Sequence, residues 1–478
     1  MIPVSVSRFV FPEHQGVLGK TTKERNMSGL TEAIGKFIAG SHGPAIPSDA
    51  LDVAKLGITD TVACMIAGRD EPVVHLVKSM VSPGQSNDRA RLLFTDDHAS
   101  SWDAALVNGT AAHALDYDDV AMAAHPSTVL VPAILAEAEA LNTSGRSALD
   151  AYVIGYEVWS ELWAREEGQL HQKGWHPTSV YGAVAAAAAC ARLHGLDSVQ
   201  SMHAIAIAAS QTGGLVANFG TMTKPFHAGR AAQSGVLSAR LAARGMTGSL
   251  DVIEHPQGFL SALSQNGDYC DVADSGLGHE YQCLQHGLNI KKYPMCYSTH
   301  RTIDGMLELR NTHSFGADSV AQIDTEMSVT QSQILRNHKP KTALEAKFSE
   351  EFAMASAVIA GKVGFAELTD EFVLRADVQK LMAKVNNHTT DAQDPDEPVM
   401  SPDESVTVTM ESGERFRKVV QYARGHAKAP LDAGDLWDKF KDCTQSTYAR
   451  DDARQFFDEL QQLDKVKSLQ QLCERTNA

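Results

Sequence analysis

The sequence predicts a mainly α protein: a large all-helical domain joined to a smaller α+β domain. Three observations predict it. The chain has 478 residues, more than one hydrophobic core usually organises. From about residue 28 to 283 alanine-rich stretches recur with helical spacing, among them "ALDVAKLGITDTVACMIAG" and "VYGAVAAAAACARLHG". Past residue 284 the period changes, and Ile323, Thr325, Met327 and Val329 take alternate positions, as a half-buried strand requires.

Each element follows in order. Residues 1–27 lack the apolar core of a secretory signal and read as a flexible extension, with Met27 an alternative start. Residues 28–283 form the first part of the helical domain, its small residues letting central helices approach closely and be buried on most sides. Residues 284–430 form the α+β domain. Within it, "SEEFAMASAVIAG" reads as a helix capped by Ser349. Val406, Val408 and Met410 alternate up to a Ser412-Gly413 turn, and Phe416, Lys418, Val420 and Tyr422 continue the hairpin after it. "DAQDPDEPVMSPDES" carries too many acids and prolines for either element and reads as a solvated loop. From Leu431 to residue 478 the pattern is helical again, with Asp432 a cap.

Charge and cysteine usage exclude several function classes. A formal net charge of -17 speaks against nucleic acid and anionic membranes, both of which need a basic surface. No stretch approaches about 18 apolar residues, so no membrane span is expected. The seven cysteines are an odd set without a C-x-x-C pair, which predicts reduced thiols and speaks against iron-sulfur or structural zinc sites. The expected compartment is cytoplasmic, with the mitochondrial matrix the alternative in a eukaryote. Nucleotide fingerprints of the G-x-G-x-x-G and G-x-x-x-x-G-K-[ST] types are absent.

The chemistry gathers at helix ends. His125-Pro126, His176-Pro177 and Lys224-Pro225-Phe226-His227 each set a cation-capable side chain before a proline that leads into an apolar helix. Proline suits the first helical turn, and a helix N-terminus attracts anions. If the three ends converge, they form a carboxylate pocket containing groups that titrate near neutrality. In "HALDYDDVAMAAHPST" a helix running toward residue 119 would put His113, Asp116 and Asp119 or Val120 on one face, with Asp118 pointing elsewhere. One aspartate then serves as base or orients a histidine. A magnesium site on Asp116, Asp118 and Asp119, or a hydrolase metal held by His113, Asp116 and Asp119, is the less favoured reading, because histidines and a lysine already supply positive charge. A fourth cluster, "IKKYPMCYSTHRTID", brings Lys291, Lys292, His300 and Arg301 together where the two domains meet, with Cys296 as pocket lining at best. Such a set can stabilise the enediolate formed when a proton is removed alpha to a carboxylate, without metal or organic cofactor.

"NGTAAHALDYDD", "HPSTVLVPA", "GWHPTSVYG" and "GTMTKPFHAGRAAQSG" together resemble the MmgE/PrpD family, over nearly the whole chain after Met27. The resemblance implies a large helical domain built from both ends of the chain, so that residues 431–478 return to it, a smaller α+β lid and a homodimer. It also implies a small polycarboxylate substrate and no cofactor. Asp116, His125, His176 and Lys224 match the family's catalytic positions, and His300, Lys292, Arg301 and His227 are taken as substrate-binding residues. The family contains 2-methylcitrate dehydratases, cis-aconitate decarboxylases and an iminodisuccinate epimerase. Animal decarboxylases tend to carry threonine where Val120 stands, and dehydratases commonly lack the Thr223-Lys224-Pro225 segment. "GWHPTS", "GTMTKP" and "FKDCT" are similar to the epimerase. The expectation is a cofactor-independent lyase acting on an aconitate- or methylcitrate-like di- or tricarboxylate. The alternatives are an epimerase of an iminodisuccinate-like dicarboxylate and a noncatalytic carboxylate-binding helical protein.

Overall fold

A computed structural model of the chain describes residues 29–474 apart from 41–45, 83–87, 167–169, 265–266, 268, 272–274, 396 and 398. The expected extension at residues 1–27 lies outside the described residues. Mainly helical architecture follows from the alanine-rich sequence. The first helices are α1 (Leu30–Ala39), α2 (Ser48–Gly68) and α3 (Pro72–Ser79), followed by a short antiparallel ribbon of β1 (Arg89–Arg91) and β2 (His98–Ser100). Then come α4 (Ser101–Ala114), α5 (Ser127–Ala140), α6 (Gly145–Ala164), α7 (Pro177–His194), α8 (Ser198–Ala209) and α9 (Thr223–Ala243).

Small residues set how closely these helices pack. α7 is buried from Pro177 through Ala191, and α9 lies against both α4 and α7. Gly109 on α4 faces Gly229 on α9, where a methyl would overlap the backbone oxygen of Leu106 and the hydroxyl of Thr110. Only glycine permits that approach, which brings the C-terminal end of α4 near the N-terminal turn of α9.

The sheet unit has one mixed four-stranded sheet. β3 (Val320–Ser328) is central, paired in parallel with β4 (Val385–Thr390) and antiparallel with β5 (Glu404–Met410). β6 (Arg415–Val420) extends the sheet beyond β5. Ile323, Thr325 and Met327 of β3 are buried, as the alternation predicts, and Val320 is buried out of phase with them, across a register shift between Val320 and Gln322. Val329 does not continue the strand: Ser328 caps a helix over Val329–Ile334 and makes a capping box with Gln331. Tyr422 likewise lies beyond the end of β6. α10 (His300–His313) packs on β5, β6 and α11 (Glu350–Ala360), whose Ser349 cap accepts from the Phe352 amide.

Two main hydrophobic cores mark the organisation. One runs from Leu30 to Ile290 and resumes with Leu436, Phe440, Phe456 and Leu460. Thus α12 (Ala433–Thr444) and α13 (Arg450–Gln461) pack with the N-terminal helices. The other core runs from Tyr293 to Phe416. Cys283, Leu288 and Ile290 belong to the first core and Tyr293 to the second. The backbone pairing of Val120 with Asn289 holds that stretch to the helical side. No helix among the described residues is long and apolar enough to cross a membrane.

Candidate active site

α4 ends at Ala114, earlier than the acidic pattern suggests. Asp116 then takes a left-handed conformation, φ 53°, which aspartate tolerates better than most residues and which turns its side chain out of the helical path. Its Oδ1 lies 2.8 Å from Lys224 Nζ at the start of α9 and 2.9 Å from Lys291 Nζ. Lys291 Nζ also donates to the Asp116 backbone oxygen at 2.6 Å. All three side chains are at least nine-tenths buried. Burial opposes ionisation of Asp116, but Lys224 and Lys291 outweigh it and hold the carboxyl far below the usual range. The partnership raises Lys291 against burial. Asp116 Oδ2 is buried without a hydrogen-bond partner among the described residues.

Asp118 organises the histidines. Its Oδ1 accepts from His113 Nδ1 at 2.8 Å, and its Oδ2 lies 3.0 Å from His125 Nδ1. The backbone oxygen of Asp119 is also 3.0 Å from His125 Nδ1. Acceptors on that side place the ring proton on Nδ1 and leave Nε2 with the lone pair. That Nε2 is 3.8 Å from Asp116 Oδ1. Burial pushes His125 down and His113 down to about 4, so both rings are neutral at pH 7. Asp119 turns away: its Oδ2 accepts from Ser127 at 2.6 Å, and burial raises its carboxyl well above the usual range.

The helix starts converge, with different registers. Pro126 caps α5 and His125 precedes it; His176 caps α7; Lys224 is the second residue of α9 rather than a residue before it. The His125 amide donates to Thr178 Oγ1 at 3.2 Å, which ties the α5 and α7 starts together. Between Asp116 and His125 the chain reverses on Met122 and Ala123, both left-handed, with Ala121 and Ala124 exchanging two backbone hydrogen bonds. This is the geometry of a type I′ turn, built without glycine or asparagine.

Asp116, His125, Lys224 and Lys291 line one cavity of about 760 Å³, together with Cys296 and Asn289. Phe219 and Phe348 flank the Lys224 ammonium, each 5.3 Å away. His176 stands behind this wall, its ring 6.1 Å from His113 and 4.8 Å from Phe219. Its Nδ1 shares a 3.1 Å hydrogen bond with His227 Nδ1, so His227 contacts His176 and is not on the wall. Burial, reinforced by Lys224, lowers His176 well below the ordinary histidine value.

Three expected substrate contacts lie elsewhere. Lys292 follows Lys291, and consecutive side chains leave the backbone in different directions: Lys292 lines a separate cavity with Asp304 and Arg424, 3.9 Å from Asp435. His300 packs between Tyr293 and Tyr297, and its Nε2 is 3.4 Å from the Met295 oxygen. Arg301 is 1 % exposed, donates to the Ser401 oxygen at 2.7 Å and lies 3.8 Å from Glu404. The supposedly solvated loop instead walls the cavity with Gln393, Glu397, Val399 and Met400. Ser328 holds it by donating to the Val399 oxygen at 2.6 Å.

His113, Asp116, Asp118 and His125 offer ligand atoms within 4.8 Å of one another, a set that differs from both metal triads suggested by the sequence. The same Asp116 oxygen already faces two ammonium groups, and Asp118 bonds His113 directly. An ion there would sit beside Lys224 and Lys291, so the donor set fits a divalent metal poorly.

The chain matches two family domains in order. Residues 32–270 match the MmgE/PrpD N-terminal domain and residues 293–465 the MmgE/PrpD C-terminal domain. It is 27% identical to a cis-aconitate decarboxylase of Homo sapiens over 427 residues, 87% of this chain and 88% of that protein. Against the cis-aconitate decarboxylase of Mus musculus it is 26% identical, with 92% of each chain covered. Identity to the cis-aconitate decarboxylase of Aspergillus terreus is 24%, covering 94% of this chain and 96% of that one. The two matches flank residues 271–292, the segment carrying Lys291, and together they cover most of the sequence: the chain belongs to the MmgE/PrpD family.

Proposed function

We propose that this MmgE/PrpD enzyme is a lyase that works without metal or organic cofactor on an aconitate- or methylcitrate-like polycarboxylate. The observation that carries the reading is a buried Asp116 carboxylate between two ammonium groups, with the unprotonated Nε2 of His125 3.8 Å away on the same cavity wall. Lys224 and Lys291 receive a substrate carboxylate and stabilise the charge that develops on it. Asp116 is too weak a base at neutral pH to remove a carbon-bound proton, so His125 takes the acid-base role, with Asp118 fixing its tautomer.

In the dehydration direction His125 takes the proton alpha to the carboxylate. The C–H electron pair becomes the enediolate, then the new C=C bond as hydroxide leaves and is protonated to water. In decarboxylation the C–C bond breaks, carbon dioxide departs, and His125 in its protonated form delivers a proton to the carbanion. The relatives' names support the second course for an aconitate-like substrate. The motifs shared with the epimerase support a second reading, in which the proton returns to the opposite face of the same carbon.

A screen in deuterated water separates these courses. Citrate, methylcitrate, aconitate and iminodisuccinate are followed by NMR for alpha-deuteration, water loss, carbon dioxide loss and inversion. Net loss with deuterium incorporation is expected, and His125→Ala and Lys224→Ala should each reduce turnover at least about 100-fold. Full activity in either variant would refute the assignment. We also propose a homodimer, tested by sedimentation at micromolar concentration; a monomer under turnover conditions would remove it.

A further inference from the structure

The cavity is larger, and more apolar away from its ionic cluster, than a compact six-carbon tricarboxylate requires. Such a molecule has about twelve heavy atoms, and even at about 30 Å³ each, the share of a water molecule in the liquid, it fills less than half of the roughly 760 Å³ present. The remaining wall includes Trp163, Leu170, Tyr181, Ile334, Val399 and Met400. A carboxylate lodged against such side chains loses hydration without gaining a partner.

Charge points the same way. Among the described lining residues the lysines are Lys224 and Lys291, both already at Asp116. The other charged groups on the wall are acids, Glu166 and Glu397. Glu166 is paired with Lys173, and His426 lies 3.4 Å from Glu397. His171 on the wall is pushed down to about 4 by burial, so it offers no fixed positive charge at neutrality. Among the described residues the wall therefore has its lysines gathered at one end.

Resting on the lyase reading above, we infer that the preferred substrate is an alkyl-substituted polycarboxylate. Its carboxylates gather at Lys224 and Lys291, and an apolar chain of several carbons runs along the Trp163, Leu170 and Ile334 wall. Each methylene buried there should raise kcat/KM by roughly fourfold until the cavity is filled. A short tricarboxylate leaves that surface uncovered and gains nothing from it.

The test uses the full-length enzyme and two homologous series. One is citrate with hydrogen, methyl, butyl or hexyl on the same carbon; the other is the corresponding aconitates. Turnover is followed by NMR in deuterated water. The expected result is kcat/KM rising from the unsubstituted to the butyl or hexyl member, with a flatter chain-length slope in Ile334→Trp, whose folding is checked by circular dichroism. Turnover of the unsubstituted compounds with no gain, or a loss, on lengthening the chain would overturn the alkyl inference and leave the lyase reading intact. Exchange, water loss and carbon dioxide loss absent from every member of both series would overturn the lyase reading and the inference with it.

Discussion

Asp118 is the residue on which the histidine pair depends, although spacing on an ideal helix turns it away from the site. Its carboxylate faces the Nδ1 side of both His113 and His125, and its charge raises the His125 pKa that burial lowers. Proton abstraction needs neutral His125 and proton delivery to a carbanion needs its protonated form, so kcat/KM should fall on the acid side of a midpoint below 6.5, the ordinary histidine value, in dehydration and on the alkaline side of that midpoint in decarboxylation. In Asp118→Asn the raising charge is gone, so that midpoint should move to still lower pH while the plateau rate drops about tenfold or more through lost orientation. A pH profile of kcat/KM checks both; a midpoint that moved up would contradict the assignment. At this scale the helix-end motifs point to Asp116, His125 and Lys224, and these three side chains line one cavity. They could not tell Lys291 from Lys292, because both stand in one basic run and only the backbone path decides which enters. Lys291 accordingly supplies the second ammonium, while Lys292 lines another cavity.

The connecting elements show what spacing hides and what stability gives up for the site. Met122 and Ala123 both occupy left-handed conformations, which cost an L-residue about 1–2 kcal/mol each. Ala123→Gly should relieve that strain and, after the larger chain entropy of glycine is set against it, stabilise the protein by up to about 1 kcal/mol in urea unfolding. A destabilised variant would mean that the Ala123 methyl packs favourably enough to offset its backbone. α12 makes the longer connection. Lys439 Nζ donates to the Tyr117 oxygen at 2.8 Å and lies 2.6 Å from Asp60 on α2, all buried, so the C-terminal helix holds the residue next to Asp116. Lys439→Met should cost about 3 kcal/mol because it leaves Asp60 buried without its counter-charge. Adding Asp60→Asn should recover part of that loss, and the double-mutant cycle measures the coupling; strictly additive losses would show that the pair is not coupled. Helical pattern and the Asp432 cap pointed to α12, but the partner of a buried lysine depends on tertiary packing that one-dimensional pattern does not encode.

Across the whole molecule, buried histidines and buried glutamates act on stability in opposite directions with pH. Burial lowers His113 and His171 to about 4 and His300 to about 3, whereas unfolded histidine titrates near 6.5. Their contribution is therefore complete above pH 6.5 and is lost as pH falls toward 4 and 3, because the unfolded chain binds protons that the native state refuses. Glu139 and Glu404 are each raised to about 7 by burial against an ordinary value of 4.5. Theirs is complete below 4.5 and is lost as pH rises through 7. The two sets oppose each other between those limits, where buried Asp119 and Glu350 are raised alongside the glutamates and His125 and His176 are lowered alongside the histidines. Below 4.5 the Glu139 and Glu404 contribution is already at its full value, while Asp116 and Asp118, held low, begin to lose theirs, and stability should fall. Glu404→Gln isolates one contribution. Gln resembles the protonated side chain that already receives a hydrogen bond from Gln331, and it removes the demand to ionise beside Arg301 in a buried site. Its Tm should therefore gain on the wild type as pH goes from 5 to 8. A difference that shrank over that range would mean that Arg301 keeps Glu404 ionised, and that this pair, rather than burial, sets the charge inside the sheet unit.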